Sequence, residues 1–217
     1  GLPVAVVEVS GGGGAAPLLG IRPGGGWADL IEVPPENLLG DPWGPDRVAA
    51  ALSEVEPGLH LLPSAGPAAM DELQPDLVEA VLRLLGACGC ACALVDTPAE
   101  MTVPAAAALA AADAVCLIGL PDAVSAYRMV QVEHLLTSLQ VPPERVHPVL
   151  NRVREPVPRG LEEALAFLPY RPWVRVPEEA RPPVDPAGRF AGFRPGSGAA
   201  RALERLLEAW VQEVMGT

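Results

Sequence analysis

The most informative absence in this sequence is lysine. All fifteen basic residues of the 217-residue chain are arginines. A phosphate-binding Walker loop needs a lysine that reaches the β- and γ-phosphates of a nucleotide. The chain as given therefore supplies no such loop, whatever else its fold provides.

Positive charge and long apolar runs are also scarce. The formal net charge is −12, so neither a nucleic acid nor an anionic membrane would attract this body electrostatically. No uninterrupted apolar stretch approaches the roughly 20 residues of a membrane helix, and the chain opens on a strand-like run rather than a signal peptide. We expect a cytoplasmic protein with no integral membrane segment and no nucleic-acid partner.

Cysteine is limited to four residues, which are Cys88, Cys90, Cys92 and Cys116. The first three alternate, so they would share one face if that stretch is a strand. A metal site would need a fourth ligand and CxxC-like spacing, which the sequence does not show. We expect the thiols to pack as small apolar side chains, and metal or redox chemistry remains the open alternative.

Half of the residues are hydrophobic, which is enough for one substantial core. Strand-like apolar runs alternate with helical patterns along nearly the whole chain. Strands are predicted at 2–9, 59–63, 91–95, 114–120, 146–150 and 173–176. Helices are predicted at 47–55, within 71–86, and at 102–113, 122–139, 161–168 and 199–215, with a short helical pattern at 27–33.

This alternation predicts an α/β fold, a doubly wound and mainly parallel sheet with helices on both faces. We expect a single domain over residues 1–217, in which 177–198 is an irregular surface segment rich in proline, glycine and arginine. The last helix should dock on the domain's own sheet, because its polar face is acidic rather than basic.

The predicted strand at 91–95 stops abruptly at Asp96. Open α/β sheets place ligands at the carboxyl ends of their strands, and a buried strand that delivers one Asp there is how P-loop proteins hold the water shell of Mg²⁺. The alternative is that Asp96 caps the following turn. Both interpretations are open at this point.

A glycine-rich turn, SGGGG at 10–14, follows the first strand. Phosphate loops and dinucleotide loops both need such a turn to open a helix that faces the phosphates. Only residues 15–19 precede Gly20, and Pro17 lies among them. We therefore assign no phosphate site to this turn.

Five stretches, taken in order, resemble the MinD/ParA superfamily of deviant P-loop ATPases. The closest likeness is to the CpaE/TadZ branch of pilus-assembly localisation proteins and to related actinobacterial septum-site-determining proteins. The stretches are LLGIRPGGGWADLI at 18–31, GLHLLPSAGP at 58–67, ALVDTPAE at 93–100, AADAVCLIGLPD at 111–122 and VLNRV at 149–153.

The resemblance also implies what is missing. Residues 4–10 fall on the family's second strand, so the first strand and phosphate loop would lie before residue 1. Glu8 and Ser10 stand where the family carries an Asp-x-Asp pair, the later member of which orients the attacking water. The likeness places Asp96 near Mg²⁺ and Asn151 at the position that contacts the adenine base. A strand-end Asn that bonds its own backbone is the alternative for Asn151.

The resemblance implies two functions. The first is a positioning or scaffold protein for pilus assembly, secretion or septum placement, with a degenerate nucleotide site, no cofactor, and a monomeric or nucleotide-independent dimeric state. The second is part of an active ATPase, for which an upstream phosphate loop would complete a site for ATP and Mg²⁺.

Arginine and aromatic residues concentrate in residues 169–198 of an otherwise acidic chain. Such side chains dominate interface hot spots, so we expect Arg189 and Arg194 to contribute to a docking surface for an acidic protein partner. The alternative is that the aromatics pack into the core and the arginines pair with Glu178, Glu179 and Asp185.

Overall fold

The computed structural model describes residues 2–154, 156, 174–179 and 184–215. The chain divides into two compact units. The first holds residues 1–111 with 186–190, and the second holds residues 112–185 with 191–217. The predicted helix at 161–168 lies outside the described residues, and the single domain stays a prediction.

The first unit is built on a four-stranded sheet in the order β2-β3-β1-β4. The strands are β1 Val4–Glu8, β2 Ser53–Glu56, β3 Leu59–Leu62 and β4 Cys92–Asp96. β1 pairs in parallel with β3 and with β4, and β2 adds to β3 in the antiparallel direction. β2 and β4 are therefore the two edges.

Six helices surround this sheet in the described residues. They are α1 Ala15–Leu19, α2 Pro35–Gly40, α3 Gly44–Ala51, α4 Pro67–Asp71, α5 Pro75–Leu85 and α6 Val103–Ala111. The apolar stripe of α5 is buried and joins a core with Trp27, Leu38, Val48 and Leu62. The strongly periodic α5 is where the sequence pattern and the burial agree best.

Several local predictions in this unit are wrong. The helix predicted at 47–55 ends at Ala51, because Leu52 turns extended (ψ 138°) and leads into β2. The helical pattern at 27–33 forms only a 3₁₀ turn, Trp27–Asp29. α2 and α4 were missed since each carries a proline in its first turn, where proline is tolerated rather than disruptive.

The second unit holds a parallel three-stranded sheet in the order β5-β6-β7. Its elements are β5 Val115–Gly119, α7 Ala123–Ser138, β6 Val146–Val153, β7 Val174–Pro177 and α8 Gly198–Met215. Asp122 caps α7 by accepting the Ser125 N–H at 2.8 Å. The core of this unit forms where Ala199 and Ala202 of α8 pack on Val149 and Val176, so the predicted docking of the last helix is confirmed.

One strand boundary matters for function. The predicted strand at 146–150 runs on to Val153, so Asn151 lies inside β6 and not beyond its end. The fold class itself is confirmed: the sheets are mainly parallel and helices flank them.

Candidate functional site

Two of the predicted site residues lie side by side where β1 and β4 end. Glu8 and Asp96 are register partners in the parallel ladder, and the backbone N–H of Val9 donates to the Asp96 carbonyl at 2.9 Å. Ser10 lies two residues past the end of β1 and is half-buried. The sheet therefore brings Glu8 and Asp96 together at its carboxyl edge, as expected from the topology.

Glu8 has no exposed surface. Its Oε1 accepts the backbone N–H of Ala15 at 2.7 Å, and its Oε2 accepts that of Ser64 at 3.1 Å. Its backbone carbonyl accepts the indole N–H of Trp27 at 2.8 Å. One residue thus joins the start of α1, the loop after β3 and the 3₁₀ turn.

This bonding gives Glu8 a structural role. A buried carboxylate needs partners for its oxygens, and charge-assisted bonds from backbone N–H groups are strong ones. Each oxygen of Glu8 already has such a partner, and the side chain has no contact with solvent. The Glu8 carboxylate is therefore bonded to the protein's own loops and is shielded from solvent.

Asp96 has the opposite character and remains in contact with solvent. Partial burial of its carboxyl raises the pKa of Asp96, and the neighbouring Glu8 carboxylate raises it further. A carboxylate that faces a second negative charge is suited to holding a cation or its water shell. The Mg²⁺-proximal role of Asp96 stays a prediction.

The glycine-rich turn does not fit a triphosphate. α1 has only five residues, and its first N–H is already donated to Glu8. Gly11 sits against α4, where an added Cβ would lie 3.0 Å from the Cα of Pro67. With no lysine in the sequence, the described residues lack the cradle that supplies most phosphate affinity.

Asn151 belongs to the second unit, whereas Glu8 and Asp96 belong to the first. Its Oδ1 accepts the backbone N–H of Arg152 at 2.9 Å, and Arg152 adopts a left-handed φ of 57°. An asparagine that bonds the next N–H stabilises such a local distortion. This bond matches the structural alternative, and contact with an adenine base stays a prediction.

The two arginines expected to bind a partner lie in different units. Arg189 packs over the end of α1, where an added Cβ on Gly20 would lie 2.6 Å from its Cδ, and the next N–H, of Phe190, donates to the Leu18 carbonyl at 2.6 Å. Arg194 is exposed. Hydrogen bonds from Ala199 and Ser197 lower the pKa of Glu179, and the charge of Arg194 lowers it further.

The aromatic residues of this segment divide between core and surface. Phe193 packs against the core of the second unit, and Phe190 remains partly exposed. Tyr170, Arg171 and Trp173 lie outside the described residues. Phe193 therefore follows the alternative in which the aromatic residues pack into the core, whereas Arg189 is exposed and packs on α1. A docking role for Arg189 and Arg194 stays a prediction.

The cysteines form no metal site in the residues that the structure describes, where no cluster of three metal-ligating side chains occurs. Of Cys88, Cys90 and Cys92, only Cys92 lies in a strand, so the three thiols do not share one strand face as they would if the stretch were a strand. All four are free thiols. Burial is the main cause that raises the pKa of each thiol. For Cys88, Cys90 and Cys92 this fits inert packing, whereas Cys116 is exposed at the surface.

Sequence reasoning missed two residues of the site, Ser64 and Trp27, which both bond to Glu8. Trp27 is one of only four tryptophans and is fully buried. A lone tryptophan that follows three glycines is a usable signal, since a buried indole N–H needs an acceptor. The Ser64 contact involves only its backbone N–H, so it cannot be inferred from the residue type.

Within the described part of the chain, no helix combines the length and the apolar character that crossing a bilayer requires.

Comparison of the structure with solved structures identifies its fold. A ParA family ATPase from Chlorobium tepidum TLS matches with a TM-score of 0.67 and 20% identity, over 82% of this chain and 73% of that chain. MinD of Pyrococcus horikoshii OT3 in complex with Mg-ADP matches with a TM-score of 0.68 and 19% identity, over 96% and 83%. The MinC:MinD complex of Aquifex aeolicus matches with a TM-score of 0.70 and 21% identity, over 96% and 84%.

The chain therefore has an α/β fold of the P-loop NTPase class. More particularly, its fold is similar to that of the MinD and ParA ATPases in these solved structures. No protein-family model matches the sequence, and no curated protein does. The narrower likeness to the CpaE/TadZ branch stays a prediction.

Proposed function

We propose that this protein is a MinD/ParA-like positioning or scaffold protein of the cytoplasm, that its nucleotide site is degenerate, and that it acts by binding a protein partner. The observation that carries the proposal is the buried Glu8, whose carboxylate oxygens accept the N–H groups of Ala15 and Ser64. A carboxylate held in this way stabilises loops, and Ser10, at the position that the resemblance gives to the water-orienting member of the pair, carries no carboxylate that could act as a base.

Hydrolysis would also need phosphate ligands. The sequence contains no lysine, and the N–H at the start of α1 is already used. Together these features support a chain that does not turn over ATP by itself. Measurement of phosphate release with Mg·ATP in excess tests this: we expect a rate equal to the buffer blank, and release that disappears in an Asp96→Asn variant would contradict the proposal.

A protein partner is supported by the fold and by the surface. One structure with this fold is a complex of MinD with MinC, so a protein with this fold can bind a protein partner. The partner we propose belongs to a pilus-assembly, secretion or division apparatus. Arg194 is the better docking candidate of the two arginines: both are exposed, but the side chain of Arg189 packs on α1.

A pull-down tests this docking. Arg194→Glu should lose partner capture, and Arg201→Glu, which reverses another exposed arginine of the same unit, is the matched control. If the Arg194→Glu protein is folded and retains every partner that the wild type captures, Arg194 is not part of the docking surface.

The second candidate function is that of an ATP-hydrolysing MinD/ParA-type ATPase, of which these residues would be a part. It is favoured by Asp96, a solvent-accessible carboxylate at the carboxyl edge of a parallel sheet. In this case an upstream segment would supply the phosphate loop, ATP and Mg²⁺ would be the cofactors, and Asp96 would hold the water shell of the ion. Reading the codons upstream of residue 1 tests it, because a GGxGK[ST]-like sequence is required there.

A further inference from the structure

One tryptophan of the first unit lies in solvent although the residue after it is buried. Trp43 is 68% exposed, whereas Gly44 is packed so closely on Leu38 that a side chain would not fit between them. Leu39, on the other side of the turn that joins α2 and α3, is 49% exposed. Exposed apolar surface with a polar rim marks interaction sites, and tryptophan is enriched in binding hot spots. This turn is therefore a candidate contact surface.

An open groove of about 500 Å³ lies beside the turn. Val33 and Pro34 contribute apolar surface to its lining. Carboxylates line it as well, and they belong to Glu32, Glu36 and Asp41. Asp41 joins the groove to the exposed tryptophan, because its Oδ1 accepts the backbone N–H of Trp43 at 2.9 Å.

The charges of this groove do not cancel. The Oδ2 of Asp41 lies 3.8 Å from the guanidinium of Arg47, so these two charges form a pair. Glu32 and Glu36 are exposed, and within the part of the chain that the structure describes neither carboxylate has an ion pair or a hydrogen-bond donor. The groove therefore presents two uncompensated carboxylates beside an exposed indole, and both kinds of group attract cations.

We propose that this groove, with Trp43 and Leu39 beside it, is a docking site for an arginine-containing segment of a partner polypeptide. A planar guanidinium donates two parallel hydrogen bonds to a carboxylate and also stacks on aromatic rings, whereas the ammonium of lysine is a point charge without that geometry. Leu39 and Val33 would contact aliphatic side chains of the same segment. A second copy of this chain fits less well, because a body with a net charge of −12 repels its like.

The inference goes beyond the proposed function, which places an acidic partner at Arg194. The groove belongs to the first unit, whereas Arg194 belongs to the second. The two surfaces carry opposite charges, so they select different partner segments. Neither Asp96 nor a nucleotide takes part in this docking.

The experiment uses a fluorescein-labelled peptide, GSRRLRSG, which is titrated into the whole chain at low salt and followed by anisotropy. Its control is GSKKLKSG, which has the same charge but no guanidinium. We expect saturable binding of the arginine peptide with an affinity at least about fivefold higher than that of the lysine peptide. Equal affinity for the two peptides, or binding of neither, would overturn the proposal.

The first variant tests the exposed indole. Trp43→Ala should weaken binding of the arginine peptide by at least about tenfold. Its matched control is Tyr127→Ala, which removes another aromatic side chain of similar exposure, 64%. If both variants weaken binding equally, or if neither does, Trp43 is not part of the site and the proposal is wrong.

The second variant tests the carboxylates. Glu32→Gln combined with Glu36→Gln should also weaken binding by about tenfold or more. The control combines Glu54→Gln with Glu56→Gln, which removes the same charge from exposed residues of β2. Similar weakening in both double variants would show attraction to the acidic chain as a whole and would overturn the assignment to the groove.

A measurement on the wild type keeps the test decisive if a variant does not fold. Of the tryptophans that the structure describes, Trp43 is the most exposed, so acrylamide quenching of the chain's own fluorescence reports on it. Saturation with the unlabelled arginine peptide should reduce this quenching. Unchanged quenching, or self-association of the wild type that Trp43→Ala abolishes, would overturn the proposal. Arg194→Glu should not weaken peptide binding, so failure at the groove and failure of the proposed function are separate results.

Discussion

Glu8 is the residue on which the interpretation of the site depends. The sequence contains no lysine that could pair with this buried carboxylate. Two backbone N–H groups bind its oxygens instead. A Glu8→Gln variant keeps the volume but offers only one acceptor oxygen, so one N–H, of Ala15 or Ser64, would meet an amide donor.

We expect Glu8→Gln to lower the free energy of unfolding by about 1–3 kcal/mol, the usual effect of leaving a buried donor unpaired. Urea denaturation measures this, with Asp96→Asn as the control at the neighbouring, solvent-accessible carboxyl. A loss below about 0.5 kcal/mol, the range of ordinary surface substitutions, would mean that Glu8 does not hold the loops together.

The raised pKa of Asp96 predicts that the stability of the fold depends on pH with the opposite sign from that expected for a salt-bridged carboxylate. Burial and Glu8 raise its pKa in the folded state, so between the unfolded and the folded value the folded protein binds more protons. Stability contributed by this group is then present at low pH and is lost as the pH rises through the raised pKa.

The measurement is the difference in unfolding free energy between Asp96→Asn and the wild type. It should be positive at pH 7 and shrink toward zero below the ordinary carboxyl pKa. Because Asp96 contacts solvent, we expect less than about 1 kcal/mol. A variant that is less stable than the wild type at pH 7 would show that the charge of Asp96 is favourable in the fold.

At the scale of elements, α2 and α3 meet where a described glycine, Gly44, has the least room for a side chain beside neighbouring backbone. A Cβ added to Gly44 would lie 1.9 Å from the carbonyl oxygen of Leu38, which is backbone and cannot rotate away. Gly40, which is in the same junction, has no atom within 4 Å of such a Cβ.

We therefore expect Gly44→Ala to destabilise the protein by about 2–3 kcal/mol, in the range of overpacked sites, and Gly40→Ala to change stability by less than about 0.5 kcal/mol. Thermal or urea unfolding of the two variants provides the comparison. Equal effects would mean that the junction relaxes easily.

The elements also show what the sequence could and could not predict. Periodic helices such as α5 and α7, and apolar runs such as β4 and β5, were predicted within a few residues, because burial of one face or both faces imposes their patterns. β2 was missed since its four residues, SEVE, continue the polarity pattern of the helix before it. α2 and α4 were missed because the sequence does not show whether a proline interrupts a helix or occupies its first turn.

The site was predictable only in part. Parallel topology brings the strand ends together, so the neighbourhood of Glu8 and Asp96 followed from the order of the strands. The bonds from Ala15 and Ser64 to Glu8 involve backbone groups, which no side-chain pattern reports. β6 continues through Asn151 and Arg152, and Arg152 has a left-handed backbone conformation that is unusual for a non-glycine residue. The sequence alone does not predict this conformation.

At the scale of the whole molecule, the account predicts an assembly state that ignores nucleotide. If no phosphate cradle is present, ATP cannot bridge two copies, so the protein should be a monomer or a nucleotide-independent dimer. Light scattering coupled to size exclusion gives the mass with and without Mg·ATP. An increase in mass that requires ATP would contradict the degenerate site.

The most direct test of the central claim is isothermal titration of Mg·ATP into this chain at neutral pH and low salt. The account predicts no binding heat beyond dilution, because the Glu8 carboxylate already accepts the first N–H of α1, that of Ala15, and no lysine is available. Micromolar affinity for Mg·ATP would contradict it, and loss of that affinity in Asp96→Asn would establish a working nucleotide site instead.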